Sequence, residues 1–383
     1  MSEVVHAYQT DLDYYEGRAA GLLASARDGT PGAVAAFERA AAPLSEPGAR
    51  LVVAHEHGAA DWPALRALVA GIERSDDPFV RGYRALEAHD VAGLRAVLAA
   101  EPHVVVARGT NGNDLLGMAA ATGDERLVRL LLVHGADVER GNVHGWTPLH
   151  QAAYANQSAL ARLLLAAGAR VDVAARGAGG TPLVVALFWG NVEVAELLAP
   201  LGLVPRNLRV AAGIGDVALI DALVGTPAAG AERGFYRPHG GFPDWRPGDD
   251  PQQALDEALA WAARSGRADA LAALARHGAR LDADVYRGTA LAWAAVRGQV
   301  GAIRRLLELG ADPNARGTFG GPTHGEGVTA LHLAAGAGEL AAIEALLELG
   351  ADPSLRDALH DGDAAGWAAH AGHEPARARL AGR

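Results

Sequence analysis

Cysteine is absent from the 383 residues. That excludes disulfides, thiolate metal sites and a cysteine nucleophile, and it fits a reducing cytoplasm. Aromatic residues make up only 5% of the chain, whereas glycine occurs 48 times; small side chains at fixed offsets suit close packing of helices. Basic charge is not in excess. The formal net charge of −11 argues against a general nucleic-acid binder, which needs a basic face. No apolar run approaches the roughly 18 residues of a membrane span. The segment from Met1 to Tyr15 carries acids and tyrosines where a signal peptide would carry a basic and then an apolar region. No glycine loop precedes a lysine, and neither a nucleophile elbow nor zinc-ligand spacing occurs. Neither a cofactor nor a metal is therefore expected, and the chain is expected to work in the cytoplasm without nucleic acid or membrane.

What the chain does have is repetition. The fullest copy is Gly145-Trp146-Thr147-Pro148-Leu149-His150-Gln151-Ala152-Ala153, followed by Leu163-Leu164-Leu165 and Gly168-Ala169. The same frame appears at Asp114-Leu115-Leu116, Thr181-Pro182-Leu183, Thr289-Ala290-Leu291 and Thr329-Ala330-Leu331-His332. Asp114 to Thr147 is 33 residues and Thr147 to Thr181 is 34.

A period near 33 built on Thr-Pro-Leu-His resembles the ankyrin-repeat family, over roughly residues 79–383. The resemblance implies an all-α fold: helix–turn–helix repeats with short β-hairpin fingers, stacked as a curved solenoid. It also implies a rigid binding surface, usually without catalytic machinery. In the family, the histidine at position 150 ties its turn to the adjacent finger. Thr147 is expected to cap the first helix of its repeat, and Gly168 to end the second in a left-handed conformation.

Residues 1–75 lie outside the repeat and form a helical N-terminal module. Helices are expected over Leu12 to Ala26, Gly32 to Ala42 and Arg50 to Glu56, and from a fourth start capped by Asp61. Leu51 to Gly58 followed by Trp62-Pro63 is similar to a small helical module found ahead of some bacterial ankyrin proteins. That resemblance and the Ala/Gly/Arg-rich composition suggest a bacterial source. The solenoid then occupies 76–383, with nine helix pairs including degenerate first and last ones. The pair from Leu208 to Leu223 follows too soon to leave room for a finger. Insertions interrupt the register at 225–252 and 317–328.

In the family, partners are held by finger tips and by the two positions after Ala-Ala in each first helix. Carried onto this chain, that nominates Tyr154, Phe188, Trp189, Arg264 and Arg297 on the inner helices. On the fingers it nominates His144, Trp146, Tyr286, Arg287 and Phe319. The long insertion adds Tyr236, His239 and Trp245, and the short one adds His324. Aromatics and Arg are the types that most often anchor interfaces. Each also has a structural reading. Trp146 can stiffen its finger, and of Phe188 and Trp189 one ring is expected inside and one outside. Trp261, Trp293 and Trp367 fall at a core-facing offset. Arg264, Arg287, Arg297 and Arg316 could line one side of the C-terminal half and pair with Asp244, Asp249, Asp250 and Asp256, or could simply be solvated charge.

These residues imply a monomeric scaffold that binds another protein through the inner face and fingers, without covalent chemistry. The alternative is a small-molecule binder or enzyme whose pocket is formed by the two insertions, with Tyr236, His239, His324, Glu326 and Arg297 as its polar groups.

Overall fold

Short helices in pairs, many started by a side-chain cap, account for nearly all the regular structure among the described residues. The computed structural model describes residues 12–27, 31–72, 76–109, 112–142, 145–175, 180–202, 204–231, 250–285, 288–318 and 326–381. The N-terminal segment holds α1 (Leu12–Arg27), α2 (Pro31–Arg39), α3 (Glu46–Glu56) and α4 (Trp62–Ile72). Two boundaries differ from expectation. The second helix stops at Arg39, because Ala41 turns to a left-handed φ of 48°. The third begins at Glu46, four residues early: the Ser45 hydroxyl accepts from the Gly48 N–H (3.3 Å), and Pro47 sits in the first turn, where a missing N–H costs nothing. Tyr15, Leu22, Phe37, Val53 and Leu65 form the core of these four helices.

Nine helix pairs follow among the described residues: α5/α6 (Pro78–Glu87, Val91–Ala100), α7/α8 (Leu115–Thr122, Glu125–Val133), α9/α10 (Pro148–Tyr154, Ser158–Ala166), α11/α12 (Pro182–Trp189, Val192–Leu198), α13/α14 (Leu208–Ile214, Val217–Leu223), α15/α16 (Pro251–Arg264, Ala268–Arg276), α17/α18 (Ala290–Val296, Val300–Glu308), α19/α20 (Ala330–Ala337, Leu340–Glu348) and α21/α22 (Ala364–His370, Glu374–Leu380). Asp or Asn starts many of them. Asp77, Asp90, Asp114, Asn207, Asp216, Asp250 and Asp363 each accept a first-turn N–H, which places an oxygen acceptor, in most cases a carboxylate, at the positive end of the helix.

The residues form two compact units. One runs through Ala186 and includes Glu193–Gly202; the other combines Leu187–Val192 with the described residues beyond Gly202. In the first, Ala119-Ala120 and Ala152-Ala153 are fully buried on the first helices, and Leu131 and Leu164 on the second. In the second unit the corresponding residues are Ala262-Ala263 and Ala294-Ala295, with Leu274, Leu306 and Leu346. Each leucine is buried by neighbouring repeats, so stability is nearly local. Fingers are stitched to one another in the same way: Arg170 N–H donates to Glu139 in the first unit, and Asp312 N–H to Asp282 and Asp352 N–H to Asn314 in the second. The ends of the short insertion pair as a two-stranded hairpin, β1 (Gly317–Thr318) with β2 (Glu326–Val328). Among the described residues no helix is long and apolar enough to cross a membrane.

Candidate functional site

Of the residues proposed from sequence, His144, Tyr236, His239, Trp245, Tyr286, Arg287, Phe319 and His324 lie outside the described residues. The other six divide by burial into an interior set and an accessible set.

In the first unit, Thr147 starts α9 and its N–H donates to His150 Nδ1 (3.2 Å). That bond leaves the proton on Nε2, which donates to the Gly180 carbonyl of the next finger (3.0 Å). The imidazole is thus a neutral strut. Burial, the dominant cause, holds its pKa down at about 4. His332 repeats the arrangement in the second unit, with Nε2 on the Gly362 carbonyl (3.0 Å), and burial lowers its pKa too. Trp146 is buried against His150 and Tyr154, with ring centroids 5.3 and 6.2 Å away. It stiffens the finger. Tyr154, half-buried at the end of α9, is the ring of this group left facing outward.

In the second unit the inner positions hold an aromatic and guanidinium stack. Arg264 is only 2% exposed. Its guanidinium carbon lies 3.7 Å from the Trp293 ring centroid, 5.2 Å from that of Phe188 and 5.7 Å from that of Trp261. Its Nη1 donates to the Phe188 carbonyl and its Nε to the Ala260 carbonyl (3.2 Å). The Arg209 guanidinium carbon also lies 5.1 Å from the Trp261 ring centroid. The space left between Phe188, Arg209, Glu257 and Trp261 is about 10 Å³, room for one water at most.

Burial corrects three surface assignments. Arg264 and Phe188 are interior groups that pack on one another instead of lining the inner face, Phe188 being the inward ring of the 188–189 pair, and Trp146 takes its structural reading, buried on His150 and Tyr154 of its own repeat. Trp261 and Trp293 are buried as their offset requires, and Trp367 is half-buried. The charge pairing expected around Asp256 also differs. Its carboxylate is enclosed and bound by Arg280 (2.6 Å), and Arg316 donates to the Gly327 and Arg356 carbonyls.

The reason for Arg264's reach is the short repeat. The α13/α14 pair offers Gly213 where its neighbours carry larger side chains, and Leu187 packs directly on that glycine. Residues 187–190 and the end of α15 therefore meet. Gly190 is left-handed (φ 68°), and a Cβ there would stand 2.6 Å from the Arg264 carbonyl oxygen. Gly190→Ala is expected to cost about 2 kcal/mol, from backbone strain and this collision. Urea unfolding checks it, and Gly135→Ala, also left-handed but with open space around it, reports the strain alone.

Beside this stack, Trp189 (ring centroid 5.2 Å from Phe188, edge-on) and Arg297 at the end of α17 remain half-buried. On the finger side, Gln253, Arg280, Asp282, Asp284 and Val285 line an open groove of about 650 Å³. There burial, together with the charge of Asp312, raises the Asp282 pKa, although the Asp312 N–H opposes this. Glu326 is exposed on β2. Among the described residues no group of three or more His, Asp or Glu could hold a metal ion.

A family profile described as ankyrin repeats (3 copies) matches residues 93–175, 116–207 and 208–317, and a second, ankyrin repeats (many copies), matches 291–347. The chain belongs to the ankyrin-repeat family. Ankyrin repeats generally mediate protein–protein interaction. Similar curated proteins include the ADP-ribosylation factor GTPase-activating protein AGD2 of Arabidopsis thaliana, 38% identical over 86 residues, covering 22% of this chain and 11% of that protein. The nuclear factor NF-kappa-B p105 subunit of Gallus gallus is 34% identical over 91 residues, covering 23% and 9%. Ankyrin repeat and SAM domain-containing protein 6 of Mus musculus is 39% identical over 101 residues, covering 25% and 11%. The chain therefore spans about a tenth of the length of these relatives.

Proposed function

We propose that this chain is a non-enzymatic scaffold that binds a protein partner through accessible inner-helix residues. These are Tyr154 in the first unit and Trp189 with Arg297 in the second. The observation that carries the reading is Trp189: a partly buried indole whose neighbour Phe188 is held in place by the buried Arg264. An aromatic anchor on a rigid support loses little entropy on binding, and aromatic and Arg residues dominate interface energetics. The acidic groove at Asp282 and Asp284 suits a basic side chain of the same partner. The scaffold works as a cytoplasmic monomer, without metal, cofactor or nucleic acid. Of the alternative pocket's groups, Tyr236, His239 and His324 lie outside the described residues, and nothing at Glu326 or Arg297 favours it.

The test is affinity capture from native lysate with wild type and a Trp189→Ala/Arg297→Ala variant, followed by direct titration of the captured protein. Removing two anchors at about 1–2 kcal/mol each is expected to weaken binding about 30-fold to 1,000-fold with unchanged thermal stability. Equal affinity for both proteins would remove Trp189 and Arg297 from the interface.

A further inference from the structure

His57 closes α3, and its side chain is buried in the core of the N-terminal helices, 4% exposed. Neither ring nitrogen has a hydrogen-bond partner. That separates it from His150 and His332, whose nitrogens are both engaged. The Tyr15 ring of α1 stands edge-on to it at 5.0 Å. Nothing around His57 welcomes a proton. Arg18 of α1 adds positive charge; Glu56, next to His57 in the chain, is already bound to Arg18 (3.0 Å), and Glu16 of α1 is paired with Arg50 of α3 (2.9 Å). Of the other helices packed against α3, α2 carries Glu38 and Arg39 and α4 carries Arg66, all exposed to solvent. His55 on the same helix is exposed and turned to the Ala60 carbonyl (3.1 Å).

We propose that His57 is an acid-sensitive latch: protonation of its unpartnered, buried ring opens the four N-terminal helices while the repeats stay folded. The direction follows from linkage. Burial first, and Arg18 second, lower its folded-state pKa from 6.5 to about 3. The folded form therefore requires the neutral ring. Its stabilisation is complete above pH 6.5 and is lost progressively as pH falls from there toward about 3. The repeats lose less: the pKa of His150, with both nitrogens hydrogen-bonded, is lowered only to about 4, and every repeat is supported by its neighbours.

The test is hydrogen exchange of the full chain, resolved by segment by mass spectrometry and corrected for intrinsic rate, from pH 7.5 to 3.5. Peptides within 12–72 are expected to lose protection at higher pH than the repeats. His57→Phe, which keeps the ring's bulk without a titratable nitrogen, is expected to move that midpoint down by about one pH unit or more, leaving the repeats' midpoint in place. An unchanged midpoint, or one transition shared by the whole chain, overturns the proposal. Should His57→Phe fail to fold, histidine-selective NMR on wild type decides: a ring that titrates near 6.5 while the helices remain protected also overturns it.

Discussion

Arg264→Ala is expected to destabilise the second unit by about 3–4 kcal/mol, the largest effect of any single truncation on the inner helices. Three losses combine. The guanidinium leaves the face of Trp293 at 3.7 Å, a desolvated cation–π contact worth about 2 kcal/mol. The Phe188 carbonyl loses the Arg264 donor that bridges to it from α15. A cavity opens where the aliphatic stem lay between Phe188, Trp261 and Trp293. Arg264→Met separates these terms, because it keeps the stem and removes charge and donors; it should recover about 1 kcal/mol or more. Arg264→Lys should fare little better, since an ammonium cannot stack and donate in one plane. Urea unfolding with hydrogen exchange at α11, α15 and α17 measures all three. Equal stability of the alanine variant and wild type would mean that the stack is incidental. A drop confined to α15 would mean that the bridge to residues 187–190 carries no load.

The same residue shows where sequence is legible in this chain and where it stops. Period and helix pairing could be read because each repeat obeys local rules: a capping Thr or Asp, buried Ala-Ala, a leucine row and a left-handed Gly. His150 and Trp146 were legible for the same reason, since their partners lie within one repeat or in the next finger. Arg264 was not. Its position after Ala-Ala is a surface position in a regular stack, and it became interior only because the short α13/α14 repeat lets residues 187–190 meet α15. That consequence depends on the absence of a finger in the preceding repeat, and no motif marks it. Asp256 is similar: in the sequence it falls among the acids near the long insertion, yet its partner is Arg280 at the end of the same repeat. His57 carried no signal at all, because His55-Glu56-His57 looks like an ordinary polar helix end. Only the packing of α1 over α3 removes its second histidine from water.

Asp357→Asn is expected to unfold the last helix pair while leaving the rest of its unit intact. This carboxylate gathers four donors of the final finger and its helix. One oxygen accepts from the Leu359 and His360 N–H groups (2.9 and 2.6 Å), the other from the Gly362 N–H and Trp367 Nε1 (both 3.0 Å). Burial, the largest single influence, pushes its pKa up. The hydrogen bonds from Trp367, His360, Gly362 and Leu359 together outweigh it and hold the pKa at about 2. The folded-state value is depressed, so this stabilisation is present above about pH 3.8 and is lost as pH falls toward about 2. An asparagine keeps the shape, but it must turn its amide donors toward one of the two pairs of N–H groups. Two accepted bonds are exchanged for donor–donor contacts, and the finger that receives His332 at the Gly362 carbonyl loosens with them. The expected cost is about 3 kcal/mol, or roughly a 100-fold loss of amide protection across α21 and α22. Because each repeat is buttressed only by its neighbours, the damage stops at the end of the stack. The loss appears as fraying of 364–380, with α17 and α18 unchanged. Protection retained in α21 would show that the finger is held by its apolar contacts. Protection lost as far as α17 would show that the C-terminal repeats unfold as one block.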